Sequence, residues 1–465
     1  MTYNNNNNNN NGQTPGCVLL STEVELYVQA LQAYSIEEIG SRKWSSQHEF
    51  MEKLNMQAIL SASANETEYV KDSLVTFEKM PILIHELITI ELWSEKIFSQ
   101  LFKIDFKPKN SFVIYLILYH EATIVNLLET ILFHSEVIQA MEDSIYDLID
   151  YIQRKISNQI RLFQLDQEAS KAKIKSIEDK SDETDDPLKE LSEQHKKIQF
   201  EIVMKLYSIL RYIIDNLSNL PFGVTNRILN KHDFIMILVQ SIDLSLWSKI
   251  EKDGRLLKFI ENKWKPISAN ERFQLTKIEG QIWISLYELL LNPQCLQKYD
   301  YTEFKKNQVL KLRSHLNEVV IDQIPNLAHL QRFLEQLAIS EPPPYKSELI
   351  IEPIAEIYEG MIAKYKGKWK EIAKTQASTV LNPNDKEIQE KAKRWTETFS
   401  SDVLESLIDE PARCAECGQP APKRCSRCQN EWYCRRECQV KNWPKHKKAC
   451  ELIYETIKSA AANSK

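Results

Sequence analysis

Eight side chains near the end of the chain have the types and spacing for metal chemistry. From Cys414 to Cys450 the sequence reads Cys-x2-Cys-x7-Cys-x2-Cys-x5-Cys-x3-Cys-x7-His-x3-Cys, which places Cys414, Cys417, Cys425, Cys428, Cys434, Cys438, His446 and Cys450. A closed structural zinc site takes four thiolate or imidazole ligands in a tetrahedron, so this set provides for two zinc ions and leaves no ligand over for an open catalytic position. Seven of the nine cysteines fall within these 37 positions, which marks them as one framework. Cys17 and Cys295 lie outside it and read as buried or inert thiols.

The spacing also says which elements must hold the ligands. Cys414/Cys417 and Cys425/Cys428 are Cys-x2-Cys pairs, suited to tight turns that aim two sulfurs at one metal. Cys434/Cys438 and His446/Cys450 are four apart and so share a helix face. Pro444 cannot continue a helix but fits the first turn of a new one, which predicts two short helices meeting at Asn442 and Trp443. Pairing of the four pairs can be sequential or interleaved, and spacing alone does not choose.

This constellation resembles a MYND-type zinc finger, with Tyr433 in its place before the fifth ligand. The resemblance implies interleaved pairs: Cys414, Cys417, Cys434 and Cys438 on one zinc, Cys425, Cys428, His446 and Cys450 on the other. It further implies a groove for a proline-containing peptide, lined by Ser426, Gln439 and Trp443. Trp443 would supply an apolar platform, while Gln439 and Ser426 would bond the peptide backbone. Packing of Trp443 into the small core of the finger is the competing reading, and Arg427, Gln429, Asn430, Glu431 and Trp432 offer a partner a second face.

Composition sets the wider limits. A chain of 465 residues has room for two or three domains, and only 9 glycines among abundant Leu, Ile, Glu and Lys favour a mainly helical protein. The net charge of -6 provides no general pull toward nucleic acid or membrane. The finger is locally basic, with a formal +7 from 411 to 450, but seven thiolates and two zinc ions bring that to about +4. Its spacing also lacks the recognition helix of a DNA-reading finger, so nucleic acid is not the expected partner. The most apolar run, Phe112 to Tyr119, stops at His120-Glu121, short of the roughly 20 residues a membrane span needs. Cysteines gathered in a metal framework behind an Asn-rich start indicate a reducing compartment and a cytoplasmic protein.

Along the chain, residues 1–17 with the Asn4–Asn11 run read as a disordered tail. Residues 18–340 read as an extended multi-helix array, of the armadillo or HEAT kind though without a clean repeat. Helices are predicted over Val18–Ala33 and His48–Ser61, from the Asn65-Glu66-Thr67-Glu68 cap to Met80, from Pro81 to Phe102, and over Ser111–His134 and Ser135–Leu165. The charged run Glu178–Pro187 predicts a mobile acidic loop near 166–195. Helical periodicity resumes at Gln199, continues over Val224–Trp247, Leu275–Leu291 and Phe304–Leu337, and stops at Pro342-Pro343-Pro344-Tyr345. That break opens a segment, 341–410, with helices over Leu349–Thr375 and Asp385–Ile408. The tetrapeptide has the form of a WW-domain ligand, but four residues match by chance often and a rigid linker is the better reading. The finger occupies 411–452 and a tail 453–465.

Catalytic patterns are weak. His85-Glu86 and His120-Glu121 lack the second histidine of a zinc-protease helix and read as core histidines; Gly-rich phosphate loops and Gly-x-Ser-x-Gly are absent. Nothing in the helical pattern offers the β-rich cofactor site of a methyltransferase, so no enzyme is expected. Longer islands carry a further resemblance: Arg424-Cys-Ser-Arg-Cys-Gln-Asn-Glu-Trp-Tyr-Cys434, Arg436-Glu-Cys-Gln-Val-Lys441, Glu52-Lys-Leu-Asn-Met-Gln-Ala-Ile-Leu60, Asn126-Leu-Leu-Glu-Thr130, Leu310-Lys-Leu-Arg313 and Ile324-Pro-Asn-Leu-Ala-His-Leu-Gln331. They are similar to the zinc finger MYND domain-containing protein 10 family. That resemblance implies a cytoplasmic adaptor that works with chaperones and other dynein assembly factors to mature axonemal dynein chains for motile cilia. A nuclear co-repressor scaffold using the same groove is the alternative, disfavoured by the lack of a nuclear-localisation run.

Overall fold

The computed structural model describes residues 19–104, 106–108, 110–173, 187–251, 254–268, 271–342, 344–345, 353–383, 414–428 and 431–463. The Asn-rich start, the acidic run 178–186 and the helix expected over Asp385–Ile408 lie outside them. The chain forms two compact units, 1–382 and 383–465. As the composition requires, both are mainly helical.

In the first unit, helix α1 spans Ser21–Ala30 and α2 spans Arg42–Ala64. The Ser41 hydroxyl accepts from the Trp44 N–H and so caps α2. At its other end Asn65 takes a left-handed conformation, φ 53°, and ends α2 rather than starting the next helix as the sequence pattern suggested. The reason is that Asn tolerates this conformation, and the Asn65 and Glu66 N–H groups satisfy the last carbonyls of α2. Helix α3 then covers only Tyr69–Thr76. Helix α4, Met80–Leu92, starts with Pro81 in its first turn and runs on through a π-helical turn, Trp93–Phe98, to Lys103.

Helix α5, Phe112–Ile131, packs between α2, α4 and a later helix over Pro187–Asp215. Its length and apolarity suit a membrane span, contrary to the sequence reading, but most of its surface is buried inside the protein. Helix α6, Ser144–Lys173, and α7, Pro187–Asp215, both reach into the stretch expected to be a loop. Leu188, Leu191 and Ile198 explain the extension of α7: their three-to-seven-residue spacing buries one face of its first turns.

Helix α8, Phe234–Leu244, leads into a small sheet that the sequence reading passed over. Strands β1 Ser248–Ile250, β2 Leu256–Ile260 and β3 Lys263–Pro266 are antiparallel, in that order. Glu261 and Asn262, with φ 51° and 57°, form the two-residue turn between β2 and β3. An Asn in a two-residue gap between alternating strands is the signal that was there to be read. Helices α9 Lys277–Leu291, α10 Glu303–Leu310 and α11 Leu327–Ile339 complete the array.

Beyond the Pro-rich step, α12 Ile357–Lys364 and α13 Trp369–Ser378 pack back on the first unit. Trp93 Nε1 donates to Gln376 Oε1 at 2.8 Å, and Gln376 Nε2 donates to the Ile36 carbonyl at 2.9 Å. One buried amide therefore ties three distant parts of the chain together.

The two His-Glu pairs lie in this core. Trp44 Nε1 donates to Glu86 Oε1 at 2.6 Å, and His120 Nδ1 lies 2.7 Å from His48 Nδ1. Burial raises the Glu86 carboxyl to about 7 and pushes His120 down to about 3, so near pH 7 His120 is neutral and Glu86 is about half protonated. Glu121 stays charged because Lys155, Gln199 and Tyr151 surround it. These side chains pack the core, although among the described residues Glu86 Oε2 and His120 Nε2 have no hydrogen-bond partner, His120 Nε2 lying 3.3 Å from Glu86 Oε1.

Candidate metal centre

The second unit is built on a two-stranded hairpin and one helix. Strands β4 Lys423–Arg424 and β5 Trp432–Tyr433 pair antiparallel, and α14 runs Arg436–Asn463. The Cys414–Cys417 turn closes with the Gly418 N–H donating to the Cys414 carbonyl at 2.8 Å. Gly418 there has φ 71°, a conformation that favours glycine. The same turn is held against β5, because the Ala415 N–H donates to the Trp432 carbonyl at 3.0 Å. At the other end of the hairpin the Cys425 N–H donates to the Glu431 carbonyl at 2.7 Å.

This register decides the pairing. Extending the match of Lys423 with Tyr433 by one residue sets Cys434 opposite Pro422, three positions from Cys425 and so ~10 Å along the hairpin. Along α14, Cys438 and His446 are eight residues apart, a rise of ~12 Å. Helix and hairpin thus offer two ligand groups at the same separation, one at each end. Cys414, Cys417, Cys434 and Cys438 gather at one, and Cys425, Cys428, His446 and Cys450 at the other, with the four ligand atoms of each group within 4.8 Å of one another. The structure interleaves the pairs.

The distances suit zinc. Sulfurs on a tetrahedral zinc with bonds of ~2.3 Å lie ~3.8 Å apart, and a sulfur and a nitrogen ~3.6 Å apart. Cys417 and Cys434 are 3.4 Å apart, Cys434 and Cys438 3.6 Å, Cys417 and Cys438 3.8 Å. In the second group Cys425 and Cys450 are 3.8 Å apart, and Cys428 Sγ lies 3.4 Å from His446 Nε2. A disulfide would need ~2.0 Å, so these are free thiols around a common point. The two clusters can hold two zinc ions, with all eight donors used.

Charge explains why a cation belongs there. Burial opposes ionisation of Cys414 and Cys425, but backbone hydrogen bonds within their turns outweigh it and lower both to about 6. Cys434 moves up to about 12, first through its contact with Cys417, and Cys450 moves to about 12, first through burial. Four crowded sulfurs do not all ionise unaided; a divalent ion takes the place of their protons.

Pro444 sits inside α14 rather than at a junction, so the two short helices expected from the sequence are one. Proline removes one backbone bond, and Cys438, His446 and Cys450 on both sides of it are anchored in the clusters, which offsets that local loss. Tyr433 is buried, accepts from Asn442 Nδ2 at 3.3 Å and meets the His446 ring edge-on. Gln439 and Trp443 are half-buried and one turn apart on a single face of α14, while Ser426 is exposed on the turn after Cys425. The Trp443 ring packs edge-on against His446, 5.9 Å between centroids, so it serves the small core as well as facing outward. Of the second candidate face, Gln429 and Asn430 lie outside the described residues. Arg427 faces Glu451 at 3.8 Å, and the Arg424 guanidinium stacks over Trp432.

A helical unit joined to a closed finger of eight interleaved Cys and His ligands defines a MYND-type zinc-finger protein. Comparison agrees: the MYND finger family model matches residues 414–450. Over 450 aligned residues, covering 92% of this chain and 98% of the relative, the sequence is 31% identical to the zinc finger MYND domain-containing protein 10 homolog of Drosophila melanogaster. The chain belongs to the zinc finger MYND domain-containing protein 10 family. No solved structure matches it.

Proposed function

We propose that this protein is a non-catalytic cytoplasmic adaptor for the preassembly of axonemal dynein arms, and so for building motile cilia. The observation that carries the proposal is the closed finger: all eight donors fall into two four-ligand clusters that can hold two zinc ions, in a chain that aligns almost end to end with a member of this family. A site without a vacant coordination position serves as a rigid scaffold. Ser426, Gln439 and Trp443 form the peptide groove, and the partner they receive is another assembly factor. The large helical unit engages chaperones and dynein chains.

The test is affinity purification of the full-length chain and of Trp443→Ala from ciliated cells. The expected outcome is dynein chains and chaperones with the native chain, and loss of one assembly factor with the variant while two zinc ions stay bound. Recovery of histone deacetylase complexes without dynein chains or chaperones would replace the proposal by a co-repressor role.

A further inference from the structure

The small sheet of the first unit borders a groove that the finger does not contribute to. A groove of about 800 Å³ opens between one face of the small sheet and the helices around it, lined among others by Trp247, Ile250, Leu256, Phe273, Trp283 and Val320. Ile250 is 74% exposed and Phe273 50%, so apolar side chains stand uncovered at its mouth. Strand β1 borders it and is an edge, paired among the described residues with β2 alone.

The Trp247 carbonyl accepts from Phe259 on β2, so by the two-residue alternation of a strand the backbone of Ile250 faces the other way, its N–H and C=O turned from the sheet. Within the groove, Trp247 is 2% exposed and its indole N–H has no acceptor among the described residues. Such a buried donor is costly unless something satisfies it. Charge supplies the last constraint. Lys258 is neutralised by Glu279 at 3.2 Å; Arg272 is exposed with no carboxylate partner among the described residues, and the Lys249 ammonium lies over the Trp264 ring, 4.3 Å from its centroid, with Asp166 the remaining carboxylate of the lining.

We infer that this groove receives an acidic, extended peptide from a partner protein, which adds as a strand to β1, seats an apolar side chain beside Phe273 and gives an oxygen to Trp247. Its charge matches Lys249 and Arg272. A lysine on a three-residue edge also discourages pairing with strands of the wrong charge. The site is independent of the finger groove, and either can fail without the other.

The probe is a fluorescein-labelled peptide alternating Val or Phe with Asp or Glu, against a counterpart with Lys at the acidic positions, titrated into the full zinc-loaded chain. The acidic peptide binds and the basic one does not; Trp443→Ala leaves binding unchanged. Ile250→Pro, which removes an outward N–H without touching the bonds to β2, weakens it about tenfold. Lys249→Glu with Arg272→Glu weakens it about fivefold. Equal binding of both peptides, binding unaffected by Ile250→Pro and the charge reversal, or no binding at all would overturn the inference. So would a dimer in sedimentation that Ile250→Pro dissociates, because a second copy of the chain would then fill the groove.

Discussion

Replacing one ligand distinguishes the interleaved finger from its sequential alternative. In the interleaved arrangement Cys414, Cys417, Cys434 and Cys438 make an all-sulfur site, and Cys425, Cys428, His446 and Cys450 make a site with three sulfurs and one nitrogen. A sequential arrangement would also make one site of each kind, but Cys425 would belong to the all-sulfur one. Cys425→Ser therefore strikes a different site in each case. The residue is buried, with its sulfur 3.8 Å from that of Cys450, and a neutral hydroxyl cannot replace the thiolate there. Structural zinc contributes roughly 10–16 kcal/mol in finger peptides, so an even share among four ligands is about 2.5–4 kcal/mol, or roughly seventy- to nine-hundredfold in metal affinity. Cadmium-113 NMR on the exchanged protein reads the two sites separately, since a nitrogen ligand moves the resonance upfield. Cys425→Ser should erase the sulfur-and-nitrogen signal and keep the all-sulfur one, and Cys434→Ser should do the reverse. The opposite assignment, or a single metal per native chain in mass spectrometry, would refute the geometry.

Gln376→Ala should destabilise the first unit by about 2–4 kcal/mol in urea denaturation, because it leaves the Trp93 N–H and the Ile36 carbonyl buried without partners. Arg227→Met should cost about 3 kcal/mol or more by stranding Asp150, whose carboxyl is held well below its usual range, against its burial, by hydrogen bonds from Arg227 and His232. Because that pKa is lowered on folding, the stabilisation is complete above the ordinary carboxylate range and is lost as pH falls toward the folded value; thermal melts of the native chain and the variant should converge on acidification. His120 is lowered to about 3 by burial, so only the unfolded chain takes up its proton below about 6.5. The stability difference between the native chain and His120→Gln should then shrink by about 1.6 kcal/mol in all from pH 6.5 to 5, the slope approaching about 1.4 kcal/mol per pH unit at the acid end. Glu86 has the opposite slope and lies 3.3 Å from His120 Nε2, so the comparison is made with Glu86→Gln in both chains; a constant difference there would mean that His120 is solvated.

The sequence by itself determined the ligand count, the number of metals and the helical class. Cys and His at fixed short spacings leave few geometries, and a chain so poor in glycine and so regular in its apolar period has few alternatives to helix. Local signals also located most helices, while missing the Glu261-Asn262 turn and taking Asn65 for a start instead of a stop. Tertiary structure alone decided which cysteine pairs share a metal, since that depends on hairpin register and on the rise of α14 rather than on loop length. It also carried α14 through Pro444 and returned Gln376 to Trp93 across 283 residues of sequence. Short spacings constrain neighbours, whereas contacts between distant segments are chosen by what the whole unit can bury and satisfy, which no local window of residues contains.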